Sequence, residues 1–240
     1  MRLYRRLNPI KAISFDLDDT LYDNWPIIIK AEQAQLDYLH QALEQTRHTD
    51  TKYWQKFRFN MAKSNPRLNH DLGLLRKTAT KAQLLAPELA LGLNEQEAEH
   101  HSQQAFNAFY QQRIKVTIEQ DIIKVMEKLA EKLPLVAITN GNACVDTMGL
   151  GKVFQFALLA GEKSMAQKPS ADMFDEASKR LNIQKENILH IGDSQHSDIQ
   201  GALKANCMAA WINPEHKLLT TQSGLPHIEF QQINQLLTLI

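Results

Sequence analysis

Three short apolar runs in this chain each stop abruptly at a polar residue: AISF before Asp16, LVAI before Thr139 and ILHIG before Asp193. An apolar run of four to six residues that ends at once in polar or glycine residues reads as a buried parallel strand entering a loop. In open α/β sheets the ligand crevice lies outside the carboxyl ends of such strands. Carboxylates, a hydroxyl and backbone amides from distant parts of the sequence are therefore expected at one place, which suits a phosphate and a metal ion.

After the first run, expected as a strand over 10–15, the pattern changes. Residues 23–113 show helix-period segments, such as the one with Ile28, Ala31, Ala34, Leu36 and Leu39, and no convincing strand. Asn65, Pro66 and Gly73 are expected to break this block. From Thr117 onward strands and helices alternate. Ile118, Ile122, Val125, Leu129 and Leu133 fall on one helical face, and Pro134 closes that helix ahead of a strand over 135–138. A short strand is expected near 156–159. Ser170 is placed as the N-cap of a helix with Phe174, Ala177 and Leu181 on its buried side. A strand over 188–191, a helix over 198–205 and a strand over 208–212 follow. The expected fold is an α/β, doubly wound, right-handed parallel sheet, Rossmann-like, formed by residues 1–22 and 114–240, with an all-helical domain of residues 23–113 inserted after the first strand.

Composition narrows the partners. The chain has 240 residues, 43% of them hydrophobic, and Lys+Arg balance Asp+Glu at 27 each. A net charge of zero gives no field to attract nucleic acid or an anionic membrane, so neither partner is expected. Cys144 and Cys207 lie in unrelated segments without metal-ligand spacing, as reduced core residues of a cytoplasmic protein would. The basic N-terminus runs into Asp16, Asp18 and Asp19 before a signal core can form, and no run approaches the roughly 18 apolar residues of a membrane span.

Asp16 and Asp18 are two apart, which in an extended backbone puts both carboxylates on one side, with Cα atoms roughly 6–7 Å apart. Two such charges repel unless a pKa rises or a cation sits between them. A hard divalent ion with oxygen ligands is the simplest remedy, and Mg2+ is usual where a phosphate also binds. Asp16 is then placed to attack phosphorus, and Asp18 to protonate the leaving alkoxide and activate water. An isolated DxD more often merely caps a turn. Asp193 and Asp198 can complete the oxygen cage, with Gly192 allowing close backbone approach, although Asp198 also suits a helix start. Thr139 and Asn140, before Gly141, can line an anion nest, and Lys168 adds a point charge beside Asp16. A lone lysine before proline is ordinarily a solvated loop residue, so its weight comes from the other motifs.

FDLDDTL, ITN, KP and IGDSQHSD, in that order and separated by strand–helix units, resemble the haloacid dehalogenase-like hydrolase superfamily. The resemblance implies Asp16 as a nucleophile forming an aspartyl phosphate. It implies Asp18 as general acid/base that also gives its backbone carbonyl to Mg2+. Thr139 and Lys168 would hold the phosphoryl group, Asp193 would bind the metal with Asp198 in support, and the insert would be the family's helical cap. Dehalogenases of this superfamily lack the second aspartate, because a halide leaves without a proton. Many members carry glycine where this chain has Asp19. At a finer grain MRLYRRLNPIKAISFDLDDTLYDN, PLVAITNGNA, ILHIGDSQHSDIQGA and LPHIEF resemble a bacterial branch of phosphatases. That branch is associated with flavin mononucleotide (FMN) and 5-amino-6-(5-phospho-D-ribitylamino)uracil of riboflavin biosynthesis. A small phosphorylated metabolite is thus the expected partner. A phosphomutase, or a non-catalytic module that accepts phosphate on Asp16, stays open on the same scaffold. Tyr22, Asn24 and Trp25 read as hinge packing near the substrate, His190 as a core histidine, His196 as a surface residue and His100–His101 as a solvated face.

Overall fold

The computed structural model describes residues 1–220 and 224–240. The chain forms two compact units, Met1–Asn24 with Val116–Ile240, and Trp25–Lys115. Seven strands build one sheet in the first unit: β1 (Arg2–Leu3), β2 (Ala12–Phe15), β3 (Leu135–Thr139), β4 (Ala157–Leu159), β5 (Ile188–Gly192), β6 (Met208–Ile212) and β7 (Ile228–Phe230). Their spatial order is β1-β7-β6-β5-β2-β3-β4, parallel throughout except for the antiparallel β1–β7 pair at one edge.

Every residue of β2, β3, β5 and β6 is buried. That explains why these segments read as continuous apolar runs rather than alternating ones: helices cover both faces of a parallel sheet. Each fully buried large side chain, such as Ile13 or Phe15, contributes roughly 1.5–3 kcal/mol. The strand expected over 10–15 is β2, which begins at Ala12, two residues later than expected. The edge strand β1 and its neighbour β7 were not expected, because two- and three-residue segments carry little periodicity to read.

The inserted unit is helical: α1 (Trp25–Ala42), α2 (Thr51–Ser64), α3 (Leu72–Leu84) and α4 (Glu95–Arg113). Short polar side chains start three of these. Asp50 accepts from the Tyr53 N–H and Asp71 from the Leu74 N–H, both at 2.8 Å, while Asn94 and Glu97 form a reciprocal capping box. Leu36, Leu39, Leu43, Trp54, Leu84, Leu89, Ala98 and Ala105 make its core. Asn65 and Pro66 end α2 as expected. Gly73 does not break the chain; it lies in the first turn of α3, where the Phe106 ring stands 3.4 Å from the position a Cβ would take.

In the sheet unit α5 (Gln120–Ala130) and α6 (Asp172–Leu181) follow, then wide helical turns over Gln195–Gln200 that run into the short α7 (Gly201–Lys204). Ser170 is not the N-cap of α6. Ala171 takes that place, because the Ser170 hydroxyl donates to the Asp172 carboxylate at 2.7 Å instead of accepting a helix N–H. The helical stretch after β5 starts at Gln195 rather than Asp198, capped by Ser194, whose hydroxyl oxygen accepts from the Ser197 N–H at 3.1 Å. Among the described residues no helix is long and apolar enough to cross a membrane. Both cysteines are free, and burial pushes the Cys207 thiol up to about 12.

Candidate active site

The sheet order decides which residues can meet. β2 lies between β3 and β5, so the residues that leave the carboxyl ends of these three strands share one crevice. The chain runs outward from β2 through β3 to β4, then crosses back to β5 and β6, and β2 therefore sits at the switch in direction where α/β sheets open a binding crevice. Asp16 follows β2, Thr139 ends β3 and Asp193 follows β5.

Asp16 is 7% exposed, and its N–H still donates to the Ile191 carbonyl at 2.8 Å, so the strand ladder fixes its backbone. Lys168 binds it directly. The Lys168 ammonium, 2% exposed as a residue, donates to Asp16 Oδ1 at 2.6 Å, to Asp198 Oδ1 at 2.7 Å and to the Ile138 carbonyl at 2.7 Å. Three N–H bonds meet three acceptors, so this lysine is held in place rather than solvated. Burial works against its charge, but Asp16 and Asp198 outweigh burial and raise its pKa.

Carboxylate oxygens of Asp16, Asp193 and Asp198 all lie within 4.8 Å of one another. The three do not carry their charge equally. Burial drives the Asp16 carboxyl upward against the pull of Lys168, and burial with the nearby Asp198 and Asp19 charges pushes Asp193 up to about 6. Asp198 goes the other way: burial opposes ionisation, but Lys168 and His190 hold it well below the usual carboxylate range. Its oxygens are also taken, Oδ1 by Lys168 and His190 and Oδ2 by the Ser194 N–H at 2.9 Å. One ammonium against three carboxylates leaves a deficit of positive charge in an all-oxygen donor set, and a hard divalent cation fits that deficit.

Gly192 makes this packing possible. A Cβ there would lie 2.2 Å from Asp198 Cγ, so the close approach expected at this glycine is made by the Asp198 side chain. Asp193 is anchored through its backbone, whose carbonyl accepts from the Trp211 indole N–H at 2.8 Å.

Asp18 lies outside the three-carboxylate group. The strand ends at Phe15, Leu17 is buried, and Asp18 is half-buried with its Oδ1 accepting from the Tyr22 hydroxyl. Asp19 has φ 58, in the left-handed region that favours glycine and that aspartate tolerates, and its carboxylate accepts from the Asn24 N–H at 2.8 Å. The turn that presents Asp18 thus depends on a residue type few others could replace.

Thr139 is 1% exposed, and its hydroxyl oxygen accepts from the Gly141 N–H at 3.0 Å, which leaves the hydroxyl proton to donate. The Asn140 side chain is engaged elsewhere than expected. It clamps the Lys168 backbone at both ends, donating to the Lys168 carbonyl at 2.9 Å and accepting from its N–H at 2.7 Å. His196 is exposed, as a surface residue should be. His190, Ser14, Ser194 and Trp211 were not singled out by sequence as site residues, yet each bonds to a member of the cluster or to its immediate support.

A family model described as haloacid dehalogenase-like hydrolase matches residues 10–206. The chain is 37% identical over the full length of both proteins to the 5-amino-6-(5-phospho-D-ribitylamino)uracil phosphatase YigB of Escherichia coli K12. It is 27% identical to the glyceraldehyde 3-phosphate phosphatase of Methanopyrus kandleri, over 85% of this chain and 84% of that one. Among solved structures, the 2-haloacid dehalogenase from Pseudomonas syringae pv. Tomato DC3000 superposes with a TM-score of 0.86 at 32% identity, covering 95% of this chain and 97% of the other.

Proposed function

This chain belongs to the haloacid dehalogenase-like hydrolases, and within that family we propose that it is a Mg2+-dependent phosphomonoesterase acting through an aspartyl-phosphate intermediate on Asp16. The observation that supports this most is the buried Asp16 carboxylate with Lys168 at one oxygen, Asp193 and Asp198 alongside, and Asp18 two residues on. Asp16 would attack phosphorus while the ester P–O bond breaks and Asp18 gives the departing alkoxide its proton. A water molecule then attacks the same phosphorus. Asp18 takes that water's proton, the bond from Asp16 to phosphorus breaks, and inorganic phosphate leaves. Lys168 partly offsets the burial that raises the Asp16 pKa, and the Thr139 hydroxyl with the Asn140 backbone N–H would donate to the equatorial oxygens.

Asp16, the Asp18 backbone carbonyl and Asp193 would hold Mg2+, with Asp198 in support. When bound, the ion supplies charge neutralisation for the phosphoryl oxygens. The inserted helical unit would serve as the cap implied by the family resemblance. The likeness to the Escherichia coli phosphatase over whole chains supports 5-amino-6-(5-phospho-D-ribitylamino)uracil as the substrate, with FMN, which shares the phosphorylated ribityl arm, as a second ester. Asp18 favours phosphate esters over the haloacids of the Pseudomonas syringae relative, since a halide needs no proton donor.

The test measures phosphate release from p-nitrophenyl phosphate and a panel of phosphorylated metabolites, with halide release from 2-chloropropionate run in parallel. Phosphate release that Asp16→Asn abolishes, that EDTA removes and that Mg2+ restores is expected. Halide release without phosphate release would reverse the assignment, and full activity in Asp16→Asn or after thorough chelation would remove the nucleophile or the metal respectively.

A further inference from the structure

Two polar residues lie inside the otherwise apolar central strands. Ser14 on β2 and His190 on β5 are both 0% exposed, and they are register partners across the parallel ladder. Buried polar atoms must be paired, and here the pairing runs in one direction. His190 Nε2 lies 3.2 Å from Asp198 Oδ1, an acceptor held ionised by Lys168, so Nε2 carries the proton and donates. In the neutral ring Nδ1 is then an acceptor, and the Ser14 hydroxyl, 2.9 Å away, donates to it. Burial lowers the His190 pKa and keeps the ring neutral. The Phe174 ring meets the imidazole edge-on at 4.9 Å and an interplanar angle of 88°, which fixes its plane.

We propose that His190 is a positioning residue for the phosphoryl-transfer reaction: the Ser14–His190 pair orients the Asp198 carboxylate, which in turn sets the Lys168 ammonium against Asp16. The chain of contacts is unbroken from the second strand face to the nucleophile. Ser14 donates to His190 Nδ1, His190 and Lys168 share Asp198 Oδ1, and Lys168 reaches Asp16 at 2.6 Å. Because Oδ1 divides its lone pairs between two donors, Asp198 holds the ammonium without monopolising it, and positive charge is left for Asp16 and the phosphoryl oxygens. Without the imidazole N–H, Asp198 has one side-chain donor fewer and Lys168 is drawn toward it. Nothing in this arrangement requires His190 to touch substrate or to change protonation.

The inference rests on the phosphomonoesterase reading, and the experiment separates the two. Steady-state hydrolysis of p-nitrophenyl phosphate with Mg2+ is measured for the intact wild-type protein, His190→Gln and His190→Asn, with melting temperature recorded for each. Glutamine places an amide N–H where Nε2 stands and reaches Asp198. Asparagine keeps a buried amide that can pair with Ser14 but falls short of Asp198. His190→Gln should hold kcat within threefold of wild type, and His190→Asn should lose at least tenfold in kcat with KM moved by less than threefold. If the asparagine variant does not fold, the glutamine variant alone decides, and its losing tenfold or more overturns the proposal. Equal kcat in all three proteins, or losses that follow melting temperature alone, also overturns it. No phosphate release by the wild-type protein overturns the phosphomonoesterase reading and this inference with it, whereas an active wild type with an equally active His190→Asn removes only the role of His190.

Discussion

At the scale of single residues the site depends on contacts that leave no slack. Gly192 is the clearest case. Its missing side chain is the space Asp198 occupies, with a Cβ only 2.2 Å from Asp198 Cγ. Gly192→Ala must push Asp198 away, and Asp198 holds Lys168, so the damage should reach Asp16 without touching a reacting atom. We expect at least a hundredfold fall in kcat, on the order of 3 kcal/mol, of the size seen when positioning is lost by about an ångström. A Gly192→Ala protein with wild-type turnover would show that Asp198 can move without consequence. Asp18 makes a complementary prediction. With asparagine there, Asp16 can still attack an activated ester such as p-nitrophenyl phosphate, whose leaving group needs no proton, but water is no longer deprotonated. Phosphorylated protein should accumulate and be detected by intact mass as a persistent phosphate adduct on Asp18→Asn. Its absence, alongside unimpaired turnover, would take the acid/base role from Asp18.

Elements are held by interactions of a different kind. In the helical unit Glu32 on α1 accepts from Arg58 on α2 and from Arg76 on α3, at 2.5 and 2.7 Å, with Gln35 also accepting from Arg76 at 2.7 Å. Arg76 is buried, stands 3.5 Å over the Phe109 ring of α4, and has its pKa brought down to about 10 by burial and by Arg58. One carboxylate therefore bridges two guanidinium groups from different helices. Glu32→Ala should cost about 3 kcal/mol or more by leaving a buried charge unpaired. Adding Arg76→Leu should recover part of the loss. Urea unfolding of the single and double variants measures both, and a single-variant cost below about 1 kcal/mol would mean that the cluster does not join the helices. Elements also show how far the sequence could be read. The strand runs β2, β3 and β5 were legible because burial on both faces leaves an apolar run that a polar residue must end. Ser14 drew no remark and His190 was read as a core histidine, which its burial bears out, but its link to the site went unread because a polar residue within such a run looks like tolerated core until its register partner is known, and register is a property of the sheet. Asn140 was assigned from its place beside Thr139, whereas its side chain serves Lys168, 28 positions away. Contacts of that range leave no local pattern in the chain.

For the whole molecule, the acidic cluster ties stability to pH in a direction opposite to that of most carboxylates. Asp193 is pushed up from 3.8 to about 6 on folding, and Asp16 moves the same way. Between these values the folded protein keeps a proton on Asp193 that the unfolded chain has released. The stabilisation is complete below about pH 4 and is lost as pH rises through 6. Asp198 is shifted downward, so its contribution is present above 3.8 and is lost only as pH falls below that value. It is therefore unchanged across the window in which Asp193 titrates. Without a divalent cation, the melting temperature should fall between pH 5 and 7.5 by more in the wild type than in Asp193→Asn, which has no carboxyl to ionise there. A cation that binds the ionised cluster reverses this by mass action and competes with the proton. Saturating Mg2+ should therefore raise the wild-type melting temperature more at pH 7.5 than at pH 5, and should raise that of Asp193→Asn little at either. Thermal scans at the two pH values, with and without Mg2+, decide the matter. An equal Mg2+ shift at both, or an undiminished one in Asp193→Asn, would mean that the three carboxylates converge for a purpose other than holding a metal ion.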